Sequence, residues 1–500
     1  VSGLSFDLLV ALARHAPNVV DRDALAAEVW KQPAVTDETI MQRVALLRRA
    51  LGDDAGEPTY VRSVRGRGYT LVPTPEPLGE PTRRLRAARI AAAVAALGVA
   101  TLAAFLALDR GETVARPVRT GPLTADELAA QADAFLARHR DADNELAIDL
   151  YGRSLALAPD HPRSLVGLSL ALSQRVSKFN RPPDNAERAL ELAERSLAIA
   201  PRSARAHYAR AFALDSRGRV GGALDAYLRA AALDPSNVVP RADAAYLQLV
   251  GGDLAAALAT SLEVLRSGAR LHYLEVQIGW SLALLGHQDA AAVWLQRSLD
   301  LWPDSLFAGS TFATFRLHQG HLAEAERLAL AALDLGVERA ELPTLLGHVA
   351  LLRGDREEAA RRYREAEELS ARVDSASVRL LLLGPERPGA RARYRELASD
   401  LAKGLAEGDE WPGTAVNLML LHAGFGSPDE ALAALDTAID LGYRESAWLM
   451  LDPALAALRE HAGFVERIER IALEIEGERA ALAASPEVTA AFVEPSASTG

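Results

Sequence analysis

The sequence predicts a mainly α protein in three parts. These are a small domain of three helices and a β-hairpin, one membrane-spanning helix, and a long α-solenoid of helix pairs. Three observations carry this. Apolar residues recur at helical spacing through the first fifty residues and give way to a short β-like segment around Gly-x-Gly. Residues 90–108 carry no charge. Further on, glycine and alanine recur at intervals of 34 residues. A chain of 500 residues is too long for a single core.

The opening "LSFDLLVALARHAP" places Leu4, Leu8 and Leu12 on one helical face, with Leu9 alongside, and stops at Pro17. "DRDALAAEVW" starts at Asp21, a good N-cap, and is expected to bury Leu25, Val29 and Trp30. A third helix follows, capped by Thr36 or Asp37. Ile40, Val44, Leu47 and Leu51 form its apolar stripe, and Gly52 ends it. Two strands are expected at 59–64 and 69–72, joined by "RGRG". The polar face of the third helix carries Glu38, Gln42, Ala45 and Arg49, flanked by Arg43 and Arg48.

Charge is unevenly spread. The chain carries a net −12, yet residues 43–89 hold ten arginines against five acids. Residues 1–120 sum to +3, which leaves −15 for the remainder. Such asymmetry suggests different partners for the two halves. A major groove admits one helix, and Gln and Arg side chains read base edges there. Arginines on a hairpin suit phosphates or the adjacent minor groove.

"VTDETIMQRVALLRRALGDD" followed by "YVRSVRGRGYTLV" closely resembles the OmpR/PhoB-type winged-helix domain, in particular that of ToxR/CadC-like membrane-bound regulators. The resemblance covers about residues 4–73. It implies double-stranded promoter DNA as partner, contacted by Glu38, Gln42, Arg43, Arg48, Arg49, Arg62, Arg65 and Arg67. The family carries a small β-sheet before the first helix, and this chain begins at that helix. Residues 1–73 are therefore expected to be a truncated winged helix, which supports reading the chain as a fragment over the other possibility that Val1 is a GTG start translated literally. The receiver domain of two-component regulators is not expected within this chain.

Residues 74–89 read as a Pro/Arg linker. The nineteen uncharged residues 90–108 approach the length of a transmembrane helix, although nine are alanine. Arg83, Arg84, Arg86 and Arg89 precede the run, which places the N-terminal side in the cytoplasm and the C-terminal side in the periplasm. Ala92, Ala96, Ala100 and Ala104 form a small-residue row suited to a homodimer. Residues 109–123 form a second linker.

The rest repeats. Gly218, Gly252, Gly286, Gly320 and Gly354 are 34 apart, as are Ala223, Ala257, Ala291, Ala325 and Ala359. Pro201, Pro235 and Pro303 fit the same frame. This is the tetratricopeptide (TPR) signature, with glycine in the turn, alanine in the close packing and proline at the unit's end. Eight or nine units are expected over 124–475, degenerate near 374–411, with a partly disordered tail over 476–500. Stacked units form a concave face. By resemblance, that face includes Arg205, Tyr208, Phe212, Tyr246, Tyr273, Trp280, Thr314 and His348, an aromatic cluster able to hold a peptide or an apolar ligand.

The chain has no cysteine, which excludes disulfides and thiolate metal sites. It has no Gly-rich phosphate loop, no His-Glu-x-x-His and no Gly-x-Ser-x-Gly elbow. "HQGH" at 318–321 reads as turn histidines and not as a metal site. No enzymatic activity, cofactor or metal is expected. The leading expectation is a transcriptional regulator fixed in the inner membrane as a single-pass protein, its periplasmic repeats sensing a peptide, protein or small molecule. Two other arrangements fit: a soluble winged-helix regulator with cytoplasmic repeats that recruit partners or effectors, and a TPR scaffold with a vestigial DNA domain.

Overall fold

The computed structural model describes residues 4–30, part of 40–73, and 123–484. Within these ranges it leaves out 42, 45–46, 49–50, 52, 54–57, 65–66, 139, 180–183, 336–338 and 371–374. The chain divides into two units, Val1–Gly121 and Pro122–Gly500.

In the first unit, α1 spans Leu4–His15 and α2 spans Arg22–Leu25, continued by a π-helical turn Ala26–Trp30. Asp21 caps α2 by accepting the Ala24 N–H at 2.8 Å. Third-helix residues Ile40, Val44 and Leu47 are fully buried and meet Leu8, Leu12, Leu25 and Val29 in one core. Strands β1 (Val61–Val64) and β2 (Gly68–Leu71) pair antiparallel, Val61 opposite Leu71. Val20 adds a bridge to Tyr69, with hydrogen bonds of 2.8 and 3.0 Å. That bridge explains Gly68: its φ is +129°, and a Cβ there would lie 1.9 Å from the Val20 carbonyl oxygen.

The second unit is a solenoid of TPR-like helix pairs. Nine pairs, each with helices A and B, occur among the described residues. Pairs 1 and 2 are Ala125–Leu136 with Asp141–Leu157, and Pro162–Ser177 with Asp184–Ile199. Pairs 3 to 5 are Ala204–Asp215 with Val220–Leu233, Val239–Val250 with Leu254–Arg266, and Leu274–Leu284 with Gln288–Leu301. Pairs 6 and 7 are Leu306–His318 with Leu322–Leu333, and Glu341–Leu352 with Arg356–Leu369. Pair 8, in the degenerate stretch, joins a short Ser375–Leu382 to Ala390–Ala406, and pair 9 joins Pro412–Gly424 to Pro428–Asp440. A short helix Ser446–Leu451, two 3-10 turns and a long helix Ala462–Ala483 complete the unit, so helix continues into the tail expected from 476 onward.

The 34-residue period has a direct backbone cause. The five repeat glycines have φ between +71° and +86°, a region that a Cβ disfavours. The N–H after each glycine returns to the carbonyl five residues earlier: Arg219 to Leu214, Asp253 to Gln248, His287 to Leu282, His321 to Arg316, Asp355 to Ala350. All five bonds are 2.8–3.0 Å and close helix A in the same way. The repeat alanines are at most 1% exposed, because helix B crosses there too closely for a larger side chain.

The solenoid closes on its own C-terminal part. Helix B of pairs 3 and 4 has no cap from its own N-cap residue, Arg219 or Asp253. Glu410 instead accepts the Gly221 N–H at 2.7 Å, and Glu478 accepts the Ala255 N–H at 2.8 Å. Those two amides are equivalent positions, one repeat apart. At the next repeat Arg479 donates to the Leu285 carbonyl at 2.7 Å. Inside this closure Arg379 and Asp452 form a bidentate pair at 2.7 and 2.5 Å, 2% and 1% exposed.

The transmembrane helix is corrected. Among the described residues no helix is long and apolar enough to cross a membrane. The longest, Ala462–Ala483, is studded with Glu and Arg, and most of its length is exposed. The expected span at 90–108 lies outside the described residues; its uncharged sequence is nearly half alanine, which adds little apolar surface per residue. The placement as a single-pass inner-membrane protein, with cytoplasmic N-terminal domain and periplasmic repeats, is withdrawn with it.

Changing Arg379 to Ala strands the Asp452 carboxylate in the interior and should cost about 3–5 kcal/mol. The check is the urea midpoint of the second unit's unfolding, followed by far-UV dichroism. A double change to Arg379→Met and Asp452→Leu, which removes both charges, should recover most of the loss.

Candidate nucleic-acid interface and concave face

In the first unit, the third helix and the hairpin are locked together. Arg48 donates to the Val61 carbonyl from Nε at 3.1 Å and from Nη2 at 2.8 Å, and reaches Ser63 Oγ at 3.1 Å. Asp53, just past the helix, accepts the backbone N–H groups of Thr59, Tyr60 and Val61 at 2.6, 3.1 and 2.7 Å. Desolvation pushes the Asp53 carboxyl up, but these three donors and the Arg48 charge outweigh it and hold it below its usual range. Sequence reasoning missed this clamp. The "LRRALGDD" motif contains both residues, but their partners lie 13 and six to eight positions away.

The expected contact residues separate in the structure. Arg62 and Arg67 are exposed on the hairpin. Arg48 is half-buried and committed to the β1 backbone, and Arg43 is only 7% exposed. Glu38, Gln42, Arg49 and Arg65 lie outside the described residues.

In the second unit the concave-face candidates fall into four places. Tyr208 and Tyr273 both donate to Asp243, each at 2.9 Å, with Phe212 packed beside Tyr208 in the core. Burial pushes Asp243 up to about 6 against those two bonds and the Lys178 charge. Burial and the Asp243 charge push Asp215 up to about 7, against a hydrogen bond from Tyr227. Arg205 sits apart, paired with Asp133 at 2.9 Å. Tyr246, Trp280 and Thr314 share the wall of one cavity of about 330 Å³. His348 is covered by the chain itself: its ring lies 4.8 Å from Trp448 and 5.6 Å from Tyr363. His318 stacks on the same Trp448 at 5.3 Å. Burial depresses both histidines, to about 4 for His318 and about 3 for His348, where the Arg379 charge adds to the effect.

The folds define a winged-helix unit and a TPR-like helical repeat. Comparison with known proteins agrees for the first. The family described as "Transcriptional regulatory protein, C terminal" matches residues 1–71. Transcriptional activator CadC of Escherichia coli is 42% identical over 67 residues, 13% of this chain and 13% of CadC. DNA-binding response regulator MtrA of Mycobacterium tuberculosis is 44% identical over 72 residues, 14% of this chain and 31% of MtrA. The chain thus spans a third or less of these relatives' length. Residues 1–71 are an OmpR/PhoB-type domain. Among solved structures, a tetratricopeptide repeat protein from Parabacteroides merdae aligns over 52% of this chain and 98% of its own, at 16% identity and TM-score 0.42. Human IFIT1 aligns over 65% of this chain and 74% of its own, at 16% identity and TM-score 0.44. The repeat assignment stands on the five identical turns and the buried alanines.

Arg48→Ala or Asp53→Ala should loosen the hairpin, costing about 1–3 kcal/mol locally. Hydrogen exchange of the amides in 61–71 should accelerate while α1 stays protected. For Asp215 and Asp243, the folded-state pKa values lie above the ordinary carboxylate value. Their contribution to stability is full below about pH 4 and is lost as pH rises through about 6–7. Asp215→Asn retains an acceptor for Tyr227 and removes the charge. Its melting temperature relative to the unmodified protein should therefore climb from about pH 4 and level off above about pH 7.

Proposed function

We propose that the chain regulates transcription by binding promoter DNA through its first unit, while its repeats engage a protein or peptide partner. The observation that carries the DNA reading is the clamp of Arg48 and Asp53. It fixes the hairpin against the third helix and leaves Arg62 and Arg67 facing solvent. In this reading the third helix enters the major groove, with Gln42 and Arg49 reading base edges. Arg62, Arg65 and Arg67 engage phosphates or the minor groove. Arg48 acts as a positioning residue, because its guanidinium is spent on the β1 backbone. The repeats serve as an interaction surface and are assigned no catalytic role. Their partner takes faces that the chain's own C-terminal part leaves uncovered.

Sites selected from a random DNA pool by the full chain supply the test ligand. Binding measured by anisotropy across a salt series should weaken in an Arg62→Ala, Arg67→Ala double variant. The slope of log K against log salt should flatten by roughly 0.9 for each phosphate that is no longer neutralised. Gln42→Ala should alter the order of preferred sites and leave that slope unchanged. An unaltered slope in the double variant, with hairpin exchange also unaltered, would show that the wing does not touch DNA.

A further inference from the structure

The concave side of the repeats is no open trough. Glu410 meets the turn of pair 3, Gly442 meets Gly251 of pair 4, and Arg479 meets the turn of pair 5. The same C-terminal part also brings Trp411 and Tyr443 up to helix A of these pairs. What remains is a chamber of about 330 Å³ between helix A of pairs 4 to 6 and the chain segments around Trp411 and Tyr443. A second space of about 360 Å³ adjoins it, sharing Trp280, Leu284, Arg444 and Glu445 as common wall.

The chamber's walls are aromatic. Tyr246 stands 6.3 Å from Phe307, edge to face, and 6.4 Å from Trp411, and Trp280 closes the adjoining side. Most polar wall groups are already engaged. Thr314 donates to the Ser310 carbonyl and Ser310 to that of Phe307. The Gln277 amide is used by Ser261 and the Ala242 carbonyl, and Glu341 pairs with Arg339. Arg444 is held by Glu474 and the carbonyls of Ile439 and Tyr443. The Glu445 carboxyl differs: its nearest basic neighbour, His318 Nε2, stands 4.0 Å away, beyond hydrogen-bonding range. Burial pushes this acid up to about 7, although its side chain keeps about 30% of its surface open to the cleft.

We propose that this chamber is a binding site for a small planar aromatic molecule bearing one N–H or O–H donor, the rings lying among Tyr246, Phe307, Trp411 and Trp280 and the donor directed at Glu445. Aromatic walls favour ring contacts of this geometry. A largely apolar cleft with a few polar groups in its wall is the usual form of a small-molecule site. Part of the wall belongs to the C-terminal closure, so an occupant bridges the repeats and the segment that seals them. The inference is independent of the DNA reading.

The test uses the full chain and N-phenyl-1-naphthylamine, an aromatic probe with one N–H whose emission rises and shifts to the blue in apolar surroundings. Saturable binding at one probe per chain is expected. Thr311→Trp and Val250→Phe each fill the chamber and should weaken binding about tenfold or more, equivalent to about 1.4 kcal/mol, with the melting temperature unchanged or raised. The N-methylated probe lacks the donor and should bind more weakly to the unmodified protein. In Glu445→Ala that difference should vanish. Absence of saturable binding, or filled variants that bind as well as the unmodified protein, would overturn the site. Equal binding of the two probes would overturn the role of Glu445.

Discussion

Each repeat hinges on one left-handed residue. With φ near +80°, the glycine after helix A lets the following N–H reach back five residues, and this fixes the angle at which helix B departs. The alanine five positions on is then pressed against its neighbours with no exposed surface. Repeating that geometry stacks the pairs and sets the curvature of the whole unit. The concave chamber, the closure and the placement of the aromatic residues all inherit this curvature.

The closure adds a second level of order. In an open solenoid each repeat touches only its neighbours. Here residues 189 and 223 positions apart meet, and the acids of the C-terminal part complete helix ends that their own loops leave uncapped. The Arg379–Asp452 pair lies within this arrangement, where Asp452 also accepts the Ala454 N–H and so starts the 3-10 turn that follows Trp448. Trp448 in turn covers His318 and His348, both kept neutral by burial.

The local rules were legible in the sequence and the long-range ones were not. Gly218 through Gly354 and their alanines declare themselves because turn geometry and close packing admit few other residues. Ile40, Val44 and Leu47 do so because helical period and burial coincide. Arg48 reads as a DNA contact in sequence, since nothing local says that its guanidinium is needed by the Val61 carbonyl. Repeat position alone puts His348 on the concave face and cannot register that Trp448 arrives to cover it. The uncharged run at 90–108 lies outside the described residues, and no described helix is long and apolar enough to cross a membrane.

Repeat proteins ordinarily change length by gaining or losing whole modules, because each module needs only the one beside it. The self-sealing of this solenoid removes that freedom. Glu410 and Glu478 meet their amides only if the number of turns between them is conserved. Adding or deleting one 34-residue module would carry each acid past its helix end. The chain has traded the extensibility of a filament for the fixed circumference of a clasp, and diversification of such a domain is confined to side chains.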